Sequence, residues 1–283
     1  MKARVPFWKV ALLHAGLTLL CVATLYPVLW VLRLALSPTE ALTLSASPIP
    51  TSITWEHFEA FVLGRDAQGR WLFGRQLWAS LWVSAVSTLI GMALATSAAY
   101  ALSRLKFPGR EAGLKGLVLT QMFPGTLTLI PLYAILEKLG LNGSLWGLVL
   151  VYSTTALPFC VWMLKGYFDT LPKELEEAAA LDGATTAQVF FRIVLPLSRP
   201  ALAVTALFSF MTAWNEFILA ATLLNDAASF TLPVALQRLV GEYRVEWGPF
   251  AAGALLVSLP VMALFFALQR YLVSGLTAGA VKG

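Results

Sequence analysis

The chain has 283 residues, of which 58% are hydrophobic and only 12% charged, and its mean hydropathy is +0.75. A soluble domain carries about 25% charged residues, so this composition excludes an ordinary soluble fold and a disordered chain, and points to several membrane spans. The formal net charge of +5 does not indicate nucleic acid, because the basic residues fall between apolar runs and form no stripe or tail.

Uncharged runs cover residues 10–32, 76–103, 116–136, 139–164, 200–215 and 247–269. A helix needs about 20 apolar residues to cross the hydrocarbon core. The fifth run is interrupted by Glu216 and resumes at Phe217, so residues 201–224 are taken as one span carrying an acid. Six helices are expected. The runs show too little alternation for barrel strands, and each backbone amide in lipid must be satisfied within its own segment. The first run is too long for the 7–15-residue apolar region of a cleaved signal, and is kept as an uncleaved helix.

Orientation follows the basic residues beside the spans. Lys2, Arg4, Lys9, Arg104, Lys106, Arg110, Lys115, Lys165, Lys173, Arg192, Arg199, Arg270 and Lys282 fall on one side. Arg33, Arg65, Arg70, Arg75, Lys138, Arg238 and Arg244 fall on the other. Thirteen against seven places both termini in the cytoplasm.

Local patterns inside the spans concern packing. Gly91, Ala95 and Ala99 recur every fourth residue, a stripe that lets another helix approach closely. Pro124, Pro131, Pro158 and Pro260 favour kinks. Cys21 and Cys160 lack any metal-type spacing and read as core residues, and His14 and His57 belong to no ligand frame, so no metal site is expected.

The longest inner connection carries more information. Its segment 171–200 reads LPKELEEAAALDGATTAQVFFRIVLPLSRP. Pro172 suits a first helical turn, Glu174, Glu176 and Glu177 suit the positive end of the dipole, and Gly183 suits a stop. Thr185 and Gln188 have capping-box spacing, so a second helix should begin at once. Leu175, Ala178, Ala179 and Asp182 share one side of the first helix, a small-faced surface that another protein can grip.

Glu177-Ala178-Ala179, Gly183 after three positions, Ile193 after nine more, and Leu195-Pro196 after one more resemble the E-A-A-x3-G-x9-I-x-L-P signature of ABC importer permeases. The resemblance implies an all-α, polytopic fold of six transmembrane helices, the type I importer transmembrane domain. It also implies that the loop is a coupling helix docked on an ATP-hydrolysing subunit. Glu177, Ala178, Ala179 and Gly183 would form the docking turn, with Leu181 and Asp182 beside it. Ile193, Leu195 and Pro196 would anchor the return to span five. The chain has no Gly-Lys-Ser/Thr phosphate loop, so no catalysis and no cofactor are expected on it, and the ATPase should be a separate chain. A second homologous permease, an extracytoplasmic solute-binding protein and membrane lipid are the other implied partners, in the inner membrane of a bacterium or archaeon.

Span five contains Trp214-Asn215-Glu216-Phe217. An ionisable residue at membrane depth is a functional hypothesis by default. These four either line the translocation route or hold the bundle together by hydrogen bonds to a neighbouring helix. The tetrad and the phrasing of the loop resemble the smaller permease of maltose-type carbohydrate importers, which implies a sugar or oligosaccharide cargo. In the outer loops, Trp55, Phe58, Phe61, Trp71, Phe73, Leu232, Pro233, Tyr243 and Trp247 suit either an interfacial belt or reception of the binding protein.

The expected organisation is an N-terminal helix and outer loop over 1–76, a transmembrane core over 77–272 with its coupling loop at 166–200, and a cytoplasmic tail over 273–283. The rivals are an importer of amino acids, polyamines or phosphate, a membrane enzyme and a passive channel. No catalytic constellation supports the enzyme, and one acid makes no charged ring unless copies assemble symmetrically.

Overall fold

A computed structural model describes residues 6–38, 47, 49–50, 52–241 and 245–280, with side chains described up to Tyr271. Lys2, Arg4, Tyr243, Arg244 and Lys282 lie outside the described residues. The regular structure described is helical: α1 Phe7–Leu36, α2 Glu56–Leu63, α3 Leu72–Arg104, α4 Arg110–Gln121, α5 Leu129–Lys138, α6 Leu145–Thr170, α7 Glu174–Leu181, α8 Thr186–Val189, α9 Leu195–Leu197, α10 Arg199–Asn215, α11 Ile218–Leu223, α12 Leu232–Gln237 and α13 Trp247–Ala280.

Four helices, α1, α3, α6 and α13, are long and apolar enough to cross a bilayer unaided, and two bent pairs bring the number to six. The third expected span is not one kinked helix. It breaks at Met122–Pro124, and Arg110–Gln121 meets Gly125–Lys138 at 96°. Pro124 supplies no N–H and disfavours the α conformation at Phe123, which stops α4. The fifth run also breaks, at Glu216 and Phe217, so α10 and α11 replace the single expected helix. Before it, Thr186–Leu197 bends by 78° into α10, at Ser198, with Pro200 just inside the new helix.

The chain divides into two compact units. One comprises residues 74–234 and 260–283. Its centre is the crossing of α3 and α6, where the stripe of small residues meets its partner. Ala95 and Ala99 are fully buried, and a Cβ placed on Gly91 would stand 3.4 Å from the Ser153 carbonyl oxygen. Ser153 Oγ donates to the Val149 carbonyl at 2.7 Å and lies 3.3 Å from the Ser87 carbonyl. Small side chains therefore serve close contact here, since lipid gives no hydrophobic gain for bringing two helices together. Cys160 is buried in the same core, whereas Cys21 is exposed on α1 and is not the core residue expected.

Near the N-terminal end of α3, Gln76 Nε2 donates to the Ala227 carbonyl at 3.0 Å and the Leu232 N–H donates to Ser80 Oγ at 2.7 Å. These bonds tie the 226–232 segment to α3.

The other unit comprises residues up to Phe73 with Ala235–Leu259. Val31, Leu34 and Ala35 of α1 pack with Phe58 of α2 and Ala251, Ala252 and Leu255 of α13. His57 is buried, and its Nε2 lies 2.9 Å from the Ser37 carbonyl oxygen. Its ring occupies the space that a side chain at Gly248 would need. Aromatic residues between α1 and α3 touch one another: Trp55 and Phe58 at 5.5 Å, Phe61 and Phe73 at 5.6 Å.

Two glycines of the first unit give a graded test of packing. At Gly147 a Cβ would lie 2.6 Å from the Leu141 carbonyl oxygen, a backbone atom that cannot swing aside. Gly147→Ala should therefore cost about 1–3 kcal/mol, read as a lower melting temperature in detergent. Gly91→Ala, whose Cβ would stand 3.4 Å from the Ser153 carbonyl oxygen, should cost less than Gly147→Ala.

Candidate functional site

The connection between α6 and α10 folds as helix, tight turn, helix. The segment α7 ends in a Schellman motif: the Gly183 N–H donates to the Ala180 carbonyl at 3.1 Å and the Ala184 N–H to the Ala179 carbonyl at 2.9 Å. Gly183 sits at φ +85°, where a Cβ is penalised. Thr185 and Gln188 then form the complete capping box of α8. Pro172 lies two residues before α7 and not in its first turn. The chain continues from α8 through a wider π-type turn at Phe190–Val194 into α9.

Burial sorts the signature residues by role. Glu177, Ala178, Asp182 and Gly183 are exposed, while Ala179 is half-buried against the α3–α6 core. Leu181 is 90% exposed and Leu175 46%. Leu175, Ala178 and Leu181, spaced i, i+3, i+6, thus form an open apolar stripe on a polar loop, the pattern of a surface that waits for a partner. Ile193 packs into the same core as Ala179, and Leu195 and Pro196 are half-buried at the return to α10.

One residue that holds this element in place escaped the sequence reading. Glu176 points inward, and Arg104 Nε at the end of α3 donates to its Oε1 at 2.6 Å, with the two side chains 7% and 14% exposed. Tyr100 Oη donates to Glu176 Oε2 at 3.2 Å. The Arg104 guanidinium also donates to the Leu171 carbonyl at 3.2 Å and to Ser103 Oγ at 3.1 Å. Ser103 in turn donates to Asp169 at 2.6 Å, and Lys165 pairs with the other Asp169 oxygen at 2.6 Å. The network joins the C-terminal ends of α3 and α6 to α7, so α7 cannot swing independently of the two long helices. Its one sequence signal is Glu176 standing three residues before Ala179, on the same helix face.

The span-five tetrad divides differently. Trp214 is 1% exposed and stacks on Phe210 at 5.6 Å, and Phe217 packs partly buried against the cluster of Val83, Leu148, Tyr152 and Ala220. Asn215 is exposed. Glu216 sits at the break, and its carboxyl accepts from the N–H groups of Leu219 at 2.8 Å and Ala220 at 3.1 Å and from Tyr152 Oη at 2.5 Å. It therefore caps α11 from within the chain, filling donors that the break would leave orphaned in an apolar surrounding. Among the described residues no cluster of His, Cys, Asp or Glu could hold a metal ion.

The profile of the family described as "Binding-protein-dependent transport system inner membrane component" matches residues 87–278. The chain is 39% identical over 293 residues to the maltose/maltodextrin transport system permease protein MalG of Salmonella typhimurium, covering 97% of this chain and 96% of that one. It is 38% identical over 269 residues to the galactooligosaccharides transport system permease protein GanQ of Bacillus subtilis, covering 94% and 93%. A chain of a bacterial ABC transporter that imports the polysaccharide alginate has the same fold, with a TM-score of 0.76 at 20% identity over 96% of this chain and 99% of that one. A chain of the MetNI methionine ABC transporter matches at a TM-score of 0.59 and 19% identity, over 72% and 96%.

Two substitutions probe the contacts found here. Arg104→Met leaves Glu176 buried without its counter-charge and should destabilise the fold by about 3 kcal/mol, while the double variant Arg104→Met/Glu176→Met should regain most of that loss. Tyr152→Phe, which removes one donor to Glu216, should cost about 1–2 kcal/mol. Both are read by thermal unfolding of the detergent-solubilised chain.

Proposed function

The chain belongs to the binding-protein-dependent transport system inner membrane components, and on that footing we propose that its cargo is a sugar or oligosaccharide. It is a non-catalytic permease subunit of an ABC importer, embedded in the inner membrane. ATP hydrolysis belongs to a separate subunit, and substrate arrives from a binding protein. A second permease completes the passage, and access alternates between the two sides as the ATPase subunits cycle. Support for the sugar class comes from near-complete coverage of the MalG and GanQ permeases at 39% and 38% identity.

The observation that carries the coupling role is the combination at α7 of an open apolar stripe and a buried ionic bolt. A surface that receives force must be exposed to the motor and rigidly held to what it moves. Leu181 meets the first condition at 90% exposure, and the Arg104–Glu176 pair meets the second. In this reading Glu177, Ala178, Leu181, Asp182 and Gly183 contact the ATPase. Ala179, Ile193, Leu195 and Pro196 pass the motion to α3, α6 and α10. The functional core is assigned to residues 77–272, preceded by the helix and outer loop of 1–76 and followed by the tail 273–283.

Both termini are assigned to the cytoplasm, which puts α7 on the ATPase side. The supporting observation is the thirteen-to-seven division of Lys and Arg. Of the span-five tetrad, the exposed Asn215 is assigned to meet a passing solute, with Trp214, Glu216 and Phe217 shaping the break behind it.

Reconstitution of the chain with its ATPase, second permease and binding protein, assayed with labelled maltose, maltotriose, galactobiose, methionine and phosphate, tests the cargo. Uptake of the sugars is expected, and uptake of only a non-sugar would overturn the sugar class. In the same vesicles Gly183→Val should cut sugar uptake about tenfold or more while leaving membrane insertion intact, because a β-branched residue at positive φ distorts the docking turn. Unchanged uptake would remove α7 from the coupling path.

A further inference from the structure

Charge at the start of α4 has no counter-charge. Lys106, in the connection before the helix, and Arg110 and Lys115 on it line one cavity of about 820 Å³. Glu111 is the only acid among its lining residues. None of the three cations pairs with it, and none makes an ion pair or a side-chain hydrogen bond to any described residue. Cations gathered in this way repel one another and draw an anion to the space between them.

A second cavity, of about 650 Å³, lies between α4 and α6 and adjoins the first, since Leu114 and Lys115 line both. Its wall is chiefly apolar. Val118 and Leu119 line it from α4 and Trp162 from α6, and all three are exposed. Lys165 and Asp169 also line it, but they are held to each other at 2.6 Å. The uncompensated charge at this groove is therefore that of Lys115 and, beside it, Lys106 and Arg110.

The two walls change character at the same level. No charged residue follows Lys115 until Glu137, and none precedes Lys165 back to Lys138. Because both lysines line the same cavity, the switch from charged to apolar on α4 stands beside the switch on α6. Leu119 lies one helical turn, about 6 Å, beyond Lys115. Over that distance the groove passes from ammonium and guanidinium groups to hydrocarbon. Trp162, three positions before Lys165, brings an indole ring to the junction, the place such rings take at a membrane surface.

This profile selects among occupants. A soluble anion would use the basic end alone and leave the apolar wall in water. A lipid without net charge would use the apolar wall and leave the three cations uncompensated. A lipid with a net negative head group satisfies both ends at once, because its phosphate and its acyl chains follow one another in the same order, and basic pockets between membrane helices take such head groups.

We propose that the α4–α6 groove holds one anionic phospholipid, its head group among Lys106, Arg110 and Lys115 and one acyl chain along Val118, Leu119 and Trp162. The lipid is thus a bound component of this subunit, distinct from the bulk bilayer, and its binding does not depend on the identity of the cargo.

The test uses the complete importer reconstituted in phosphatidylcholine vesicles with a trace of phosphatidylglycerol that carries a diazirine on one acyl chain. After illumination, labelled peptides are read by mass spectrometry. Label is expected on 114–119 and on the peptide containing Trp162, about fivefold or more above that from a phosphatidylcholine probe with the same chains. Lys115→Gln should lower it about fivefold, the equivalent of one basic contact with an anionic lipid, and Lys115→Arg should retain it. The triple variant Lys106→Gln/Arg110→Gln/Lys115→Gln should fall to the level of the phosphatidylcholine probe. Since these side chains make no internal bond, the variants should melt with the parent. Equal labelling by both probes would mean ordinary contact with bulk lipid and would overturn the site. No label on either segment would mean that protein covers the groove, and would also overturn it. So would undiminished label in the triple variant, or displacement of the label by inorganic phosphate beyond that by sodium chloride of equal ionic strength, which would assign the basic end to a soluble anion.

Discussion

Every backbone N–H and C=O at membrane depth needs a partner, because hydrocarbon supplies none. The long helices α1, α3, α6 and α13 meet this requirement by their own ladders. The two interrupted spans cannot, and each solves the problem in its own way. At the α10–α11 break the solution is internal: the Glu216 carboxyl accepts two backbone N–H groups and the Tyr152 hydroxyl. An acid that would be prohibitive alone becomes the group that makes the interruption tolerable. At the α4–α5 break the irregular backbone is left open, beside hydroxyl and amide side chains.

The same economy governs the attachment of α7. Close approach of α3 and α6 depends on Ser87, Gly91 and Ser153, which bring two backbones into near contact without large side chains between them. Their C-terminal ends then carry Arg104, Ser103, Asp169 and Lys165, which fasten α7 through Glu176. The Schellman turn at Gly183 and the capping box of Thr185 and Gln188 make the following corner stiff. The exposed Leu181 therefore sits on an element with few soft joints. This is a mechanical property of the chain that stands apart from the identity of the solute.

The comparisons with known proteins bear on different levels of this description. Membership of the importer permease family rests on the sequence profile and on near-full-length identity to MalG and GanQ. The alginate and methionine transporter chains, at 20% and 19% identity, speak to architecture, and the same architecture serves chemically unlike cargoes.

What was legible in the sequence was whatever depends on neighbours along the chain. Apolar runs mark spans because burial in lipid is a local demand. The Gly183 stop, the Thr185–Gln188 box and the small-residue stripe on α3 follow from helical spacing, and the signature in the inner loop carried the family. What the tertiary structure alone decided involves partners far apart in the chain. Arg104 meets Glu176 across 72 positions, and Tyr152 meets Glu216 across 64. Neither pair leaves a periodic trace. For the same reason the sequence grouped Ala178 with Ala179, whereas folding exposes the first and turns the second toward the core. The breaks in spans three and five were also hidden, since hydropathy registers how apolar a segment is and not whether its helix is continuous. Continuity depends on whether a distant side chain, or a cavity, is there to satisfy the backbone groups that a break sets loose.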